Sequence, residues 1–372
     1  MLKHLQFYSY LLIFTVLPAL GSSSDQNHLG SCLQRSLTKH GFENVLAIVE
    51  DRRVIITYEN RIYRDEIRAI QEAFTIAVRH VPQLEHITAI PQNREIPLVT
   101  VSIPKVTCRM PSGQAASDKC SVRSVEASLD VEDTWRRIAS TTKQHSSFRK
   151  LDVIVRPQFN ALFGNYDDPV ESQINLVPAI RTGIWKGMSL FAELIIPLQN
   201  ELGGDGDDLR PGLLTINQTF RLPRYTFVSA TVGYFTENRY GVDFDAKKLL
   251  ANGRWSVGAN IGYTGRASYR EGKWYISDLS AVTAIFNAEY RFPQYDLSVR
   301  GTFGRFLYED DGVRFDVLRQ FRETEIGFFV FKTDRGSNAG FKFSIPIFPP
   351  KYLPANRVRI SPCTRIPVGV PL

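Results

Sequence analysis

The side chains able to do chemistry are scattered along this sequence, with no two of the right kinds at a catalytic spacing. Gly203-Gly204-Asp205-Gly206-Asp207-Asp208-Leu209 sets carboxylates among glycine turns, a composition that suits a hard cation held by oxygen ligands. Its spacing does not match a twelve-residue helix–loop–helix calcium site, and no Glu follows at the required distance, so it reads first as a solvated hairpin tip. Asp310-Asp311-Gly312 reads as a turn for the same reason. The six His lie outside residues 148–348, which removes imidazole-based metal sites and triads from that stretch. Asn217-Gln218-Thr219 matches a glycosylation sequon but sits in an expected strand. Cys108 and Cys120 are spaced to close a small loop in an oxidising compartment, a candidate disulfide, while Cys32 and Cys363 have no obvious mates. No catalytic, cofactor or metal site is expected.

One set of charges does recur in a pattern. Asp152, Arg156, Glu193, Glu289, Arg300, Arg314, Asp316 and Lys342 each sit among alternating apolar residues. Period two places such charges on one side of a sheet and the apolar residues on the other. Val257, Ala259, Ile261 and Tyr263 alternate with Ser256, Gly258, Asn260 and Gly262; Val228, Ala230, Val232 and Tyr234 alternate with Ser229, Thr231 and Gly233. Strands are expected at 150–161, 171–182, 187–197, 212–221, 224–235, 240–250, 254–265, 278–291, 294–305, 312–321, 323–333 and 339–348. They exceed the usual five or six residues of soluble sheets and have the length a tilted strand needs to cross a bilayer. Tight turns such as Arg221-Leu222-Pro223-Arg224 mix with longer polar loops, and aromatics such as Trp185, Trp255, Tyr290 and Tyr308 gather near strand ends. The fold class is therefore mainly β, an antiparallel transmembrane β-barrel of about twelve strands over 148–348. The eight charges are its lumen-lining candidates, either as ion pairs filling the interior or as a path for a polar polymer.

Upstream, residues 22–107 read as a small α+β domain of order αββαββ. Leu33, Leu37 and Phe42 suit a short helix, 45–49 and 54–58 flank the turn Asp51-Arg52-Arg53, and 64–81 is amphipathic with Ile67, Ile70, Phe74, Ala77 and Val78 on one face. Strands follow at 86–90 and 98–103. Residues 108–147 are expected to be a linker with a short helix near 131–138 carrying Trp135. The tail, 349–372, carries Pro349-Pro350 and Pro362, and folds back as a plug or final strand or trails as a loose periplasmic end. At the other terminus, 1–21 reads as a secretory signal: Lys3 and His4, an apolar run at 11–17, and small residues at Ala19-Leu20-Gly21.

Composition fits this reading. The 372 residues are 43% hydrophobic and 12% aromatic, which excludes a disordered chain, and four Cys exclude a disulfide-dense mini-fold. A mean hydropathy of −0.16 excludes a helical membrane bundle but not a barrel, whose two faces average out. The net charge of +7 becomes +6 once the leader and its Lys3 are removed, and the basic residues form no block, so no nucleic-acid partner is expected.

Several segments resemble the YjbH-like family of Gram-negative outer-membrane proteins associated with exopolysaccharide and capsule production. They are Asn238-Arg239-Tyr240-Gly241-Val242-Asp243-Phe244, the run 258–265 (GANIGYTG), Phe306-Leu307-Tyr308-Glu309-Asp310-Asp311-Gly312, Arg319-Gln320-Phe321, Glu325-Ile326-Gly327-Phe328-Phe329 and Gly340-Phe341-Lys342-Phe343-Ser344-Ile345-Pro346. Gly41-Phe42-Glu43-Asn44-Val45 and Tyr58-Glu59-Asn60-Arg61-Ile62-Tyr63-Arg64 are similar to its small periplasmic module. The resemblance implies a non-enzymatic outer-membrane barrel with a periplasmic docking domain, partnered by membrane lipids, polysaccharide and other export or assembly proteins. Larger family members carry more than one such unit, and this chain has about one. The alternatives are a general diffusion porin and a barrel enzyme acting on glycans or lipids through interior carboxylates such as Glu193 or Glu289.

Overall fold

The computed structural model describes residues 23–81, 84–104, 106–109, 119–122, 125–141, 146–163, 170–202, 207–235, 238–270, 272–307, 309–345, 350–352, 357–362 and 366–368. The expected leader and most of the 203–209 acidic run lie outside them.

The chain opens with α1 (Ser23–Lys39), β1 (Glu43–Glu50), β2 (Arg53–Glu59), α2 (Glu66–His80), β3 (His86–Asn93), β4 (Ile96–Pro97) and β5 (Thr100–Ile103). Asp65 starts α2 by accepting a hydrogen bond from the Ile67 amide at 3.0 Å. The helix carries the chain from β2 to β3, which pair in parallel, while the other neighbours are antiparallel. Period two splits β1 and β2 between two cores. Val45, Ala47, Val49, Val54, Ile56 and Tyr58 pack under Leu33 and Leu37 of α1 and Ala69, Ala73 and Phe74 of α2. Leu46 and Ile55 face the other way. Ile67, assigned to the apolar face of α2 from its spacing, is exposed at the first turn, and Ala69, Ala73 and Ile76 fill the face instead.

The stretch expected to be a linker contains more order than its polar composition suggests. It forms a hairpin, β6 (Val106–Arg109) with β7 (Lys119–Val122), then β8 (Glu126–Ser128), which extends the sheet to β1-β2-β3-β5-β8. After it, α3 (Glu132–Ile138) lays Ile138 and Trp135 on Leu46 and Ile55, covering the second sheet face. A few apolar residues suffice because the sheet supplies the rest of the contact.

The second half is one large sheet of long strands: β9 (Leu151–Phe163), β10 (Val170–Gly183), β11 (Met188–Asn200), β12 (Arg210–Leu222), β13 (Thr226–Phe235), β14 (Arg239–Leu250), β15 (Trp255–Arg270), β16 (Lys273–Ile276), β17 (Ala281–Phe292), β18 (Leu297–Arg305), β19 (Asp311–Phe321), β20 (Thr324–Thr333) and β21 (Gly336–Ile345). Apart from β16, which folds back on the end of β15, these are the twelve strands expected, each paired antiparallel with its neighbours in sequence. The tail adds β22 (Val358–Pro362), parallel to β9, and β23 (Ile366–Val368), antiparallel to β21, so a returning strand is the alternative found. β23 also lies near β9. No described helix is long and apolar enough to cross a membrane, which says nothing of strands.

The two faces of this sheet invert the arrangement of a soluble protein. Phe159, Ile180, Val232, Phe244, Ile261, Phe286, Phe303, Phe315, Phe328 and Phe341 are exposed on one face. On the other, Asp152, Gln173, Asn175, Glu193, Ser256, Thr283 and Asp316 are buried. The connections 184–187, 223–225, 251–254, 293–296 and 322–323, all short, join the strands at one end, and the other end is joined by the longer 164–169, 201–209, 271–280 and 306–310 together with the short 236–238 and 334–335.

Candidate functional site at the seam between domain and sheet

The α+β domain sits at the short-turn end of the sheet and is held there by polar bonds. Asp152, near the start of β9, is buried and accepts from Arg61 of the domain and from Arg359 of β22, the latter at 2.5 Å. Arg61 also meets Glu59 at 3.2 Å, and Arg359 donates to the Arg61 carbonyl. Arg64 pairs with Glu323 in the β19–β20 turn. Lys150 reaches Glu43 at 2.9 Å, and Asn44 donates to Ser147 at 2.7 Å. From β12, Arg221 donates to the carbonyl oxygens of Pro97, Leu98 and Leu129 at 2.8, 2.6 and 2.6 Å. Apart from Arg61–Glu59, each pair of side-chain partners is far apart in sequence.

One glycine marks the closest approach. Gly187, in the β10–β11 turn, has φ +77°, donates to the Arg94 carbonyl at 2.9 Å and accepts from the Thr219 amide at 2.9 Å. A Cβ there would stand 2.2 Å from the Thr219 carbonyl oxygen and 3.0 Å from Ile96 Cδ1. The residue must be glycine both for its φ and for this space.

Between domain and sheet lies a cavity of about 490 Å³, within the range of ligand sites. Its basic lining is Arg61, Arg64, Arg94, Arg156, Arg181 and Arg359, and its acidic lining Glu59, Glu66, Asp152 and Glu193; Phe191, Tyr63 and Tyr352 add aromatic surface. Burial pushes the Glu66 carboxyl up from the ordinary carboxylate range, against the Asn60 amide that donates to it at 3.0 Å. Burial and the neighbouring Arg181 push the Arg94 guanidinium down.

All eight lumen-lining candidates stand on the buried, polar face, because each shares the register parity of its neighbours across the sheet. The structure brings them together in pairs. Arg156 binds Glu193, at the rim of the cavity. Arg300 grips Glu289 through Nε at 3.0 Å and Nη2 at 2.6 Å. Arg314 grips Asp316 with two bonds of 2.9 Å and stacks 4.6 Å over the Phe329 ring. Asp152 and Lys342 find partners outside the set, Arg61 and Arg359 for the first and Glu325 at 3.7 Å for the second. Arg61, Arg64, Arg94 and Arg359 escaped the sequence reading because they belong to the domain and the tail. Arg181 was accessible to it: Ile180-Arg181-Thr182 continues the alternation of β10. Backbone register sets Cys108 directly opposite Cys120 across β6 and β7. Among the described residues no three His, Cys, Asp or Glu converge as metal ligands.

The family model described as "Exopolysaccharide biosynthesis protein YbjH" matches residues 17–211 and 207–348. No curated protein matches the chain in sequence. Among solved structures, the loop L8 deletion mutant of OmpT, an outer membrane protein of Vibrio cholerae, superimposes at a TM-score of 0.31 with 10% identity, over 52% of this chain and 86% of that one.

Proposed function

The chain belongs to the YjbH exopolysaccharide biosynthesis family, and we propose that it is a non-enzymatic outer-membrane β-barrel for export or assembly of exopolysaccharide. The observation that carries this reading is the inversion of the large sheet. Long strands that expose Phe, Val and Ile on one face and bury Asp, Glu and Arg on the other are stable only where the apolar face meets lipid. The proximity of β23 to β9, at the opposite end of the sheet, supports closure, which would remove the free edges from the bilayer. The α+β domain then lies on the periplasmic side, where short turns are the habit of such barrels, and covers that mouth as a docking module.

A covered, charge-paired interior fits a guided polymer path better than the open lumen of a diffusion porin. The test is membrane fractionation of the expressed protein, with gel mobility before and after heating and protease applied to intact cells. Recovery in outer membranes, heat-modifiable mobility and cleavage confined to the long loops are expected. A protein found in the soluble periplasm, with mobility unchanged by heating, refutes the reading.

A further inference from the structure

The seam cavity holds cations that the protein itself does not neutralise. Arg61, Arg64, Arg156 and Arg359 each have a carboxylate partner. Among the described residues, Arg94 and Arg181 have none within ion-pair distance. Arg94 donates only to the Asn217 side chain, at 3.3 Å, and Arg181 lies 5.1 Å over the Phe191 ring, with Asp152 and Glu193 acting on it only from further off. Both guanidiniums line the cavity, and burial and the Arg181 charge hold Arg94 below its usual value against Glu59. Arg156 adds a buried Nε–H with no acceptor.

The backbone works to keep Arg94 there. It sits with Glu95 at the tip of the β3–β4 hairpin, where Asn93 and Ile96 pair, and both have positive φ, +51° and +63°. That two-residue turn favours Asn or Gly, and other side-chain-bearing residues adopt it only under strain. Gly187 fastens the tip to the sheet through the Arg94 carbonyl. A strained turn, pinned so that an unpaired cation lines the same cavity as a second unpaired cation, is an arrangement that an anion stabilises.

Building on the polysaccharide reading, we propose that this cavity is a binding site for an acidic saccharide segment, its carboxylate gripped by Arg94 and Arg181. Phe191 offers an apolar surface beside that grip, and Asn93 and Arg156 Nε offer donors for hydroxyl or ring oxygens. The polymer handled by this protein is then anionic, and the seam is where it is read before it enters the barrel.

The test is calorimetric titration of the full-length protein in detergent with oligogalacturonate, a neutral malto-oligosaccharide and inorganic phosphate, using wild type, R94Q, R181Q and the double variant. Oligogalacturonate binding is expected, with a loss of about tenfold in each single variant, which is what one charge-assisted bond supplies; the neutral sugar should not bind and phosphate should bind far more weakly. Heat-modifiable mobility of each variant checks that the barrel is intact. No oligogalacturonate binding, equal binding of the neutral sugar, or binding unchanged in R94Q/R181Q overturns the proposal. Phosphate binding as tight as oligogalacturonate, with the same loss in the variants, overturns the saccharide assignment. Correct outer-membrane localisation with any of these results sinks the acidic-saccharide site alone and leaves the barrel reading standing.

Discussion

Replacing Asp152 by Asn should release the domain and the β22 strand from the sheet without unfolding either half. Asp152 is 6% exposed and takes bonds from two guanidiniums. Asn keeps the shape and one acceptor but removes the charge. Arg61 would retain Glu59 at 3.2 Å, whereas Arg359 would retain the Arg61 carbonyl and at most the neutral Asn oxygen, and would face the Arg61 charge with no carboxylate in direct contact. Removing one partner of a buried pair costs about 3–5 kcal/mol. The two arginine side chains keep 15% and 11% exposure, so water recovers part of that, and about 3 kcal/mol is the expected figure. At 1.4 kcal/mol per decade this raises the open population roughly a hundredfold. Hydrogen exchange of the β22 amides, and of the Leu151 amide that bonds the Arg357 carbonyl at 2.8 Å, reads that population directly. The double variant D152N/R359Q should recover most of the loss, because the orphaned charge is gone. Exchange within about threefold of wild type in D152N would refute the reasoning, since it would mean the pair contributes less than about 1 kcal/mol.

Three further outcomes follow from the same geometry. Gly187→Ala forces a side chain into a φ of +77° and to 2.2 Å from the Thr219 carbonyl oxygen, so protease should reach the domain's contact face at least tenfold faster, with the barrel's gel mobility unchanged. Phe286→Arg puts a charge on the exposed face beside Phe303, whose ring stacks on it at 5.5 Å; folding into lipid vesicles should weaken by about 2–4 kcal/mol, whereas a face bathed in water would tolerate the change. Glu66, with its pKa raised by burial, binds its proton more tightly in the folded domain than in the unfolded chain. Its stabilising contribution is therefore complete below the ordinary carboxylate value and is lost as pH rises through the folded value. Glu66→Gln should remove that dependence, so the variant's domain should resist proteolysis better than wild type at pH 7 and equally well at pH 4.

How much of this could be read from the sequence depended on whether an element carries its own signal. The long strands do, because alternation such as Val257 to Tyr263 against Ser256 to Gly262 records both environments at once. That alternation also fixed the parity of Glu289, Arg300 and Asp316, which share one register row. The strand β22 does not, since Val-Arg-Ile-Ser-Pro becomes a strand only through β9. The edge strand β8 is likewise a property of its neighbour β5: all three of its side chains are exposed, so no apolar pattern announces it. The seam is the least legible part. Which arginine of Arg61 and Arg64 meets Asp152 and which meets Glu323 is settled by how the domain and the sheet meet.

The polar character of that seam has a consequence for the space it encloses. The domain completes its own apolar core with α1, α2 and α3, so few apolar side chains, Ile96 against Gly187 among them, are left to meet the sheet. An apolar seat would have driven the two surfaces together and expelled the water between them. Carboxylates, guanidiniums and backbone carbonyls instead hold the surfaces at separate points and leave a gap of about 490 Å³ among them. In that gap Arg61 and Arg359 are spent on Asp152, and Arg64 on Glu323. Arg94 and Arg181, which bond no carboxylate among the described residues, contribute nothing to docking that a neutral side chain could not. Their charge is explained by what enters the gap from outside.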